Sequence, residues 1–122
     1  MNFMQKAELF ASWAEEKKAE DIRIIDVSKL TAITDAFVVL SVSNERQLDA
    51  LTDYIYLQAK ESGLGIPAVE GKKQSRWVLM DFGDVVIHLF HKEERDYYDI
   101  EKLWADGEMT FFPDRENSSQ SE

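Results

Sequence analysis

Few side chains in this 122-residue chain could do chemistry. Asp81 and Asp84 straddle Gly83, and two carboxylates beside a turn could hold a divalent cation through oxygen ligands. Turn aspartates much more often bond the local backbone instead. His88 and His91 could each ligate a metal or carry a proton. They lie three apart in VVIHLFH, which reads as a strand. Alternation then sends their side chains to opposite faces, which argues against a shared metal site. Ser41 and Ser43 fall where a strand gives way to a helix, but the glycines of a nucleophile elbow are missing. Asp81-Phe82-Gly83 matches the kinase magnesium tripeptide by chance, since a kinase needs several times this length and further motifs. The five glycines show no phosphate-loop pattern. There is no cysteine, so disulfide and thiolate chemistry are both excluded. The residues therefore point to a non-enzyme with no catalytic site, no metal and no cofactor.

The elements that position these groups follow from periodicity. Phe3, Ala7, Phe10, Ala11 and Ala14 recur at helical spacing. DIRIIDVS, from Asp21, reads as a strand, and AFVVLSV, from Ala36, as an interior strand because it is apolar almost throughout. Asn44 with Gln47 forms a capping box for a second helix. Its stripe is Leu48, Leu51, Ile55 and Ala59, and Gly63 and Gly65 end it. Ala68–Gly71 reads as a short edge strand. Arg76–Phe82 and Val85–His91 flank Gly83-Asp84, a pair suited to a type II′ hairpin turn. Lys92–Asp106 reads as one last helix with Tyr97, Ile100, Leu103 and Trp104 on one side. The predicted order is α-β-β-α-β-β-β-α, an α/β domain with about five strands in one mixed sheet. Residues 1–107 form this single domain, and residues 108–122 an acidic, disordered tail. Deleting the chain beyond Asp114 should leave folding and binding unchanged.

The formal net charge is −10, and the span from Glu93 to Glu122 holds ten acidic against three basic residues. Such a chain is repelled by phosphate backbones, so free nucleic acid is a poor partner and a basic protein a better one. No apolar run reaches membrane-spanning or signal-peptide length. The expected location is the cytoplasm.

The hairpin is the most informative local feature. With Gly83 and Asp84 in the loop, Trp77 faces Phe90 and each successive pair follows, so directly opposed residues share a face. One face carries Val78, Met80, Phe82, Val85, Ile87 and Leu89, all apolar and suited to a core. The other carries Trp77, Leu79, Asp81, Val86, His88 and Phe90. Two readings of this mixed face compete: a helix or the tail covers it, or it stays partly open and receives a partner.

Several strings in order resemble one family. They are Asp21-Ile22 with Asp26-Val27, Thr34-Asp35-Ala36-Phe37, Ser43-Asn44 with Arg46-Gln47, and Glu70-Gly71. After them come RWVLMDFGDVVIHLFH from Arg76 to His91, then Glu94-Arg95, Tyr98 and Leu103-Trp104. Together they look like the ribosomal silencing factors, RsfS, also called the Iojap or YbeB family, from the first helix to Trp104. The resemblance implies a protein that binds the large ribosomal subunit through ribosomal protein uL-fourteen. It would block joining of the small subunit sterically and repress translation when nutrients are limiting. It also implies an α/β fold with nucleotidyltransferase-like topology. Ser43-Asn44 stands where such enzymes carry Gly-Ser, and Asp81 and Asp84 are not in a D-x-D arrangement. A divergent nucleotidyltransferase-like enzyme using Asp81 and Asp84 is the alternative. A homodimer of the free form stays open. With the partner supplied by the resemblance, the pairing register supplies the positions. Trp77, Leu79, Asp81, His88 and Phe90, with Tyr98 at the border, are expected to form much of the partner contact, with Trp77 as its anchor. Should the contact lie elsewhere, the last helix around Tyr97, Tyr98 and Trp104 is next.

Overall fold

The structure is a computed structural model that describes residues 1–71 and 75–113. Its elements are α1 (Phe3–Glu16), β1 (Glu20–Asp26), β2 (Ala36–Val42), α2 (Glu45–Glu61), β3 (Ala68–Glu70), β4 (Trp77–Asp81), β5 (Val85–His91), α3 (Lys92–Tyr98), α4 (Ile100–Leu103) and β6 (Glu108–Phe112). The strands form one mixed sheet in the order β3-β4-β5-β2-β1-β6. The two most apolar runs, β2 and β5, lie at its centre, pair in parallel and are buried along their whole length. A strand covered on both faces has no use for polar alternation, which is why these two read as continuous apolar runs.

The main core lies on one face. Ile22 and Ile24 of β1, Val38 and Leu40 of β2, Val78 and Met80 of β4, and Ile87 and Leu89 of β5 meet Phe10, Ala11 and Ala14 of α1 and Leu48, Leu51 and Ile55 of α2. Complete burial of each large aliphatic side chain contributes roughly 1.5–3 kcal/mol. Both helices start where their caps allow. The Asn2 side chain accepts from Gln5 N while Gln5 accepts from Asn2 N, a full capping box. Asn44 caps α2 by accepting from Gln47 N at 2.8 Å. The returning bond of the expected box lands one residue early, since the Gln47 side chain accepts from Ser43 N.

The hairpin register is the predicted one, from Trp77↔Phe90 to Asp81↔Val86. Gly83 takes φ 91° in the loop, a region that side chains rarely enter. Lys6 of α1 donates to Asp84 at 2.7 Å and so ties the first helix to this turn.

Two expectations change at the C-terminal end. The single helix Lys92–Asp106 is broken at Asp99, which sits at φ 46° and ψ 56°, a left-handed conformation that aspartate tolerates better than most residues. The domain does not end at Gly107. Residues 108–112 form the sixth strand, β6, antiparallel to β1 at the edge of the sheet. Met109 packs on one face of the sheet and Phe112 on the other. In sequence this five-residue run is hidden by the polar chain that follows it. Gly107 fits the approach to β6 because a Cβ there would stand 2.7 Å from the Asp26 carbonyl oxygen. Residues 114–122, the rest of the expected tail, lie outside the described residues.

Candidate binding site: a half-roofed aromatic face

The second face of the sheet is built by period-two alternation on the same strands. Trp77, Leu79 and Asp81 of β4 stand beside Val86, His88 and Phe90 of β5. Phe37, Val39 and Ser41 of β2 continue the face, and Ile25 of β1 follows. The short helices α3 and α4 roof the part over β2 and β5, α3 along both strands and α4 through Ile100 and Trp104. Ile25, Val27, Phe37, Val39, Val86, Phe90 and Ile100 form a second, smaller core there, with Trp104 and Met109 packed against it. Toward β4 and β3 the roof stops.

The half-roof divides the mixed face: helices cover the part over β2 and β5, and the part toward β4 stays partly open. His88 and Phe90, expected at the surface, are 4% and 0% exposed. They form the floor of the site and have no surface to offer a partner: Trp77 stacks on Phe90 and donates to His88, and Phe37 packs edge-on against His88. Trp77 and Leu79 are half-buried at the edge of the roof, and Asp81 is exposed. Tyr98 is 49% exposed, and Tyr97 and Leu103 are 81% and 76% exposed. The open surface is thus an apolar and aromatic patch spanning Trp77, Leu79, Tyr98 and their helical neighbours.

Trp77 is held on three sides. Its ring stacks on Phe90 with centroids 4.9 Å apart and meets Tyr98 at 4.7 Å. Its indole N–H donates to Nδ1 of His88 at 3.3 Å. That bond requires the neutral imidazole to carry its proton on Nε2. Burial pushes the His88 pKa down to about 4, so the neutral form is the one that persists. Nε2 itself is buried with no hydrogen-bond partner among the described residues.

Charge surrounds the patch. Glu93, Asp96 and Asp99 are exposed, with Glu94 half-buried beside them. Arg76 ion-pairs with Glu93, Glu94 and Glu45. His91 caps α3, its Nδ1 accepting from Glu93 N at 3.2 Å. The two histidines therefore serve different elements, as alternation required. The two aspartates are also occupied locally. Asp81 accepts from Gly83 N at 2.8 Å, and Asp84 holds Lys6. Among the described residues, no group of three or more His, Cys, Asp or Glu is arranged to hold a metal ion.

Sequence reasoning missed Leu103 as an exposed group. On a continuous helix it shares a side with Ile100, which is buried. The left-handed Asp99 restarts the helix, leaving Ile100 and Trp104 turned in and Leu103 turned out. Only an aspartate directly before Ile100, inside the apolar stripe, signals this, and that signal is weak. Arg95, buried and central to how α3 sits, was visible only as part of a motif string.

Comparison with known proteins gives one consistent picture. The family described as ribosomal silencing factor during starvation, RsfS, matches residues 1–122. The ribosomal silencing factor RsfS of Bacillus subtilis is 38% identical over 109 residues, which is 89% of this chain and 92% of that protein. A mouse protein named mitochondrial assembly of ribosomal large subunit protein 1 is 35% identical over 101 residues, covering 80% of this chain and 44% of its own length. A crystal structure of a Chromobacterium violaceum protein superposes with a TM-score of 0.82 at 38% identity, covering 86% of this chain and 88% of that one.

Proposed function

The chain belongs to the ribosomal silencing factor family, and from that premise we propose that it represses translation by occupying the large ribosomal subunit. In this reading it docks on ribosomal protein uL-fourteen and sterically blocks joining of the small subunit. It acts as a non-catalytic binding protein in the cytoplasm. The observation that carries the proposal is the half-roofed patch: half-buried Trp77 and Leu79, with exposed Tyr98 against the Trp77 ring and Tyr97 against Tyr98, bordered by carboxylates. Large aromatics ringed by polar groups are what binding hot spots use, and acidic borders suit a basic ribosomal protein. The contact residues are Trp77, Leu79, Asp81 and Tyr98, with His88 and Phe90 supporting Trp77 from below. The name of the mouse relative adds a second link to the large subunit.

Sedimentation of purified subunits tests this. The protein should shift the population from joined ribosomes to free subunits and should co-sediment with the large one. Equal joining with and without the protein sinks the silencing claim.

The carboxylates of α3 should also steer the approach. Electrostatic steering acts on encounter, so the association rate with purified uL-fourteen should fall at least about threefold between roughly 20 mM and 300 mM salt. The dissociation rate should change less. Arg76 and Arg95 already pair with Glu93, Glu94 and Glu101, so Asp96, Asp99 and Asp81 should carry most of the effect. Stopped-flow measurement over a salt series checks it, and a flat association rate removes the steering idea.

A further inference from the structure

The roof that presents the docking patch is too short to hold its own shape. α3 has seven residues and α4 has four, below the length at which isolated helices persist in water. Ile100 and Trp104 give it an apolar hold on the second core. The other hold is polar. Arg95 is 5% exposed, the most completely buried cation described.

We propose that Arg95 is the positioning residue of the docking surface, its buried guanidinium fastening α3 and α4 to the irregular start of β1 so that Tyr98, with Tyr97 against it, stands beside Trp77. The assignment rests on the docking reading of that face. Its geometry is specific. The pairing of β1 with β2 shifts register between Glu20 and Arg23, and Asp21 takes φ 47° within that shift. Nη1 of Arg95 donates to the Asp21 carbonyl oxygen at 2.5 Å and reaches the Glu20 carbonyl at 3.5 Å. The same nitrogen donates to Oγ of Ser41 on β2 at 3.3 Å. Nε donates to Oε2 of Glu101 at 3.3 Å, and Nη2 lies 3.7 Å from the Asp21 carboxylate. One planar group thereby joins α3, β1, β2 and α4, the last across the helix break at Asp99.

The choice of arginine follows from that layout. Burying a cation is unfavourable unless its donors are matched, and a rigid fork matches several fixed acceptors at once. A lysine at the same position keeps the charge but offers one nitrogen. Its ammonium can serve the acceptors on β1 and β2 that Nη1 serves but cannot also bridge to Glu101. An apolar residue would leave the Asp21 carbonyl and the Glu101 carboxylate short of a partner. In either case the main core, on the opposite face of the sheet, is untouched. The effect should therefore be local to the roof.

The role also has a kinetic signature. A patch that is only fractionally preformed binds with its affinity reduced by that fraction, and the loss falls mainly on association. The test uses the full chain with Arg95→Met and Arg95→Lys, read by hydrogen exchange and by binding kinetics to purified large subunits. In Arg95→Met, amides of α3 and α4 should exchange at least about tenfold faster while those of α2 are unchanged. Association should slow at least about fivefold, with dissociation less affected. Arg95→Lys should fall between wild type and Arg95→Met in both readouts. If Arg95→Met does not fold, Arg95→Lys and Glu101→Gln carry the same comparison with smaller shifts. Unchanged exchange in α3 and α4 overturns the assignment, as does faster exchange with binding intact. Absence of any binding by the wild-type protein overturns the docking reading itself and leaves no docking surface for Arg95 to position.

Discussion

Replacing Trp77 with alanine should weaken binding to the large subunit by about 2 kcal/mol or more, close to thirtyfold in affinity. The isolated protein should lose only about 1–2 kcal/mol, because the indole is half-exposed and its partners Phe90 and Tyr98 keep other contacts. Ile87→Ala is the matched contrast. Ile87 is fully buried in the main core beneath α1 and α2. Its truncation should cost about 2–5 kcal/mol of stability and, in the fraction that stays folded, leave the affinity intact. Denaturant unfolding paired with a binding titration separates the two effects. If Trp77→Ala destabilises as badly as Ile87→Ala, the patch is simply the outer rim of the second core. If it does neither, the contact lies elsewhere, and Tyr97, Tyr98 and Leu103 are the next residues to truncate.

The contrast works because the sheet has two unequal faces, and that inequality is where sequence reasoning succeeded and then stopped. Period-two alternation through Trp77–Asp81 and Val85–His91 is enough to assign every side chain of the hairpin to a face, and the observed register agrees pair by pair. The apolar runs of β2 and β5 show that both are interior strands. What covers the mixed face depends on a tertiary event, the folding back of α3 and α4, which the hairpin does not encode. His88 and Phe90 were therefore assigned to the correct face but given the wrong exposure. The break at Asp99 relies on a left-handed aspartate, which periodicity cannot detect. β6 was missed because a five-residue edge strand needs only two or three apolar groups, here Met109, Phe111 and Phe112, and the acidic chain around them masks the pattern. The family resemblance implies a ribosomal partner, but the position of the roof had to come from the structure.

His88 gives the second large effect, and its direction can be worked out. In the unfolded chain its pKa is the ordinary 6.5, and in the folded protein burial lowers it to about 4. Between those values the unfolded chain binds more protons, so stability falls as the pH drops through that window. The slope from this one group approaches about 1.4 kcal/mol per pH unit. The total approaches about 3 kcal/mol once the pH is below both values. Above pH 6.5 the term is fully present and flat. Asp26 responds in a separate range. Its carboxylate is held below the usual 3.8 chiefly by the hydroxyl of Ser28 and loses its contribution only in stronger acid. The measurement is denaturant unfolding of the wild type and of His88→Leu from pH 7.5 to pH 4. The wild type should lose stability more steeply than the variant over this window, and the difference between their curves isolates the histidine. His88→Leu also removes the acceptor of the Trp77 indole proton, which offsets the curves by a constant and does not alter their slopes. The functional corollary follows from the same number. With a pKa near 4, only about a tenth of the folded molecules carry a charged His88 at pH 5. The bond that orients Trp77 should therefore hold across the whole physiological range, and docking should not depend on this group between pH 6 and pH 8. An NMR titration that places the His88 midpoint at 6 or above would refute both the stability window and the pH independence of docking between pH 6 and pH 8.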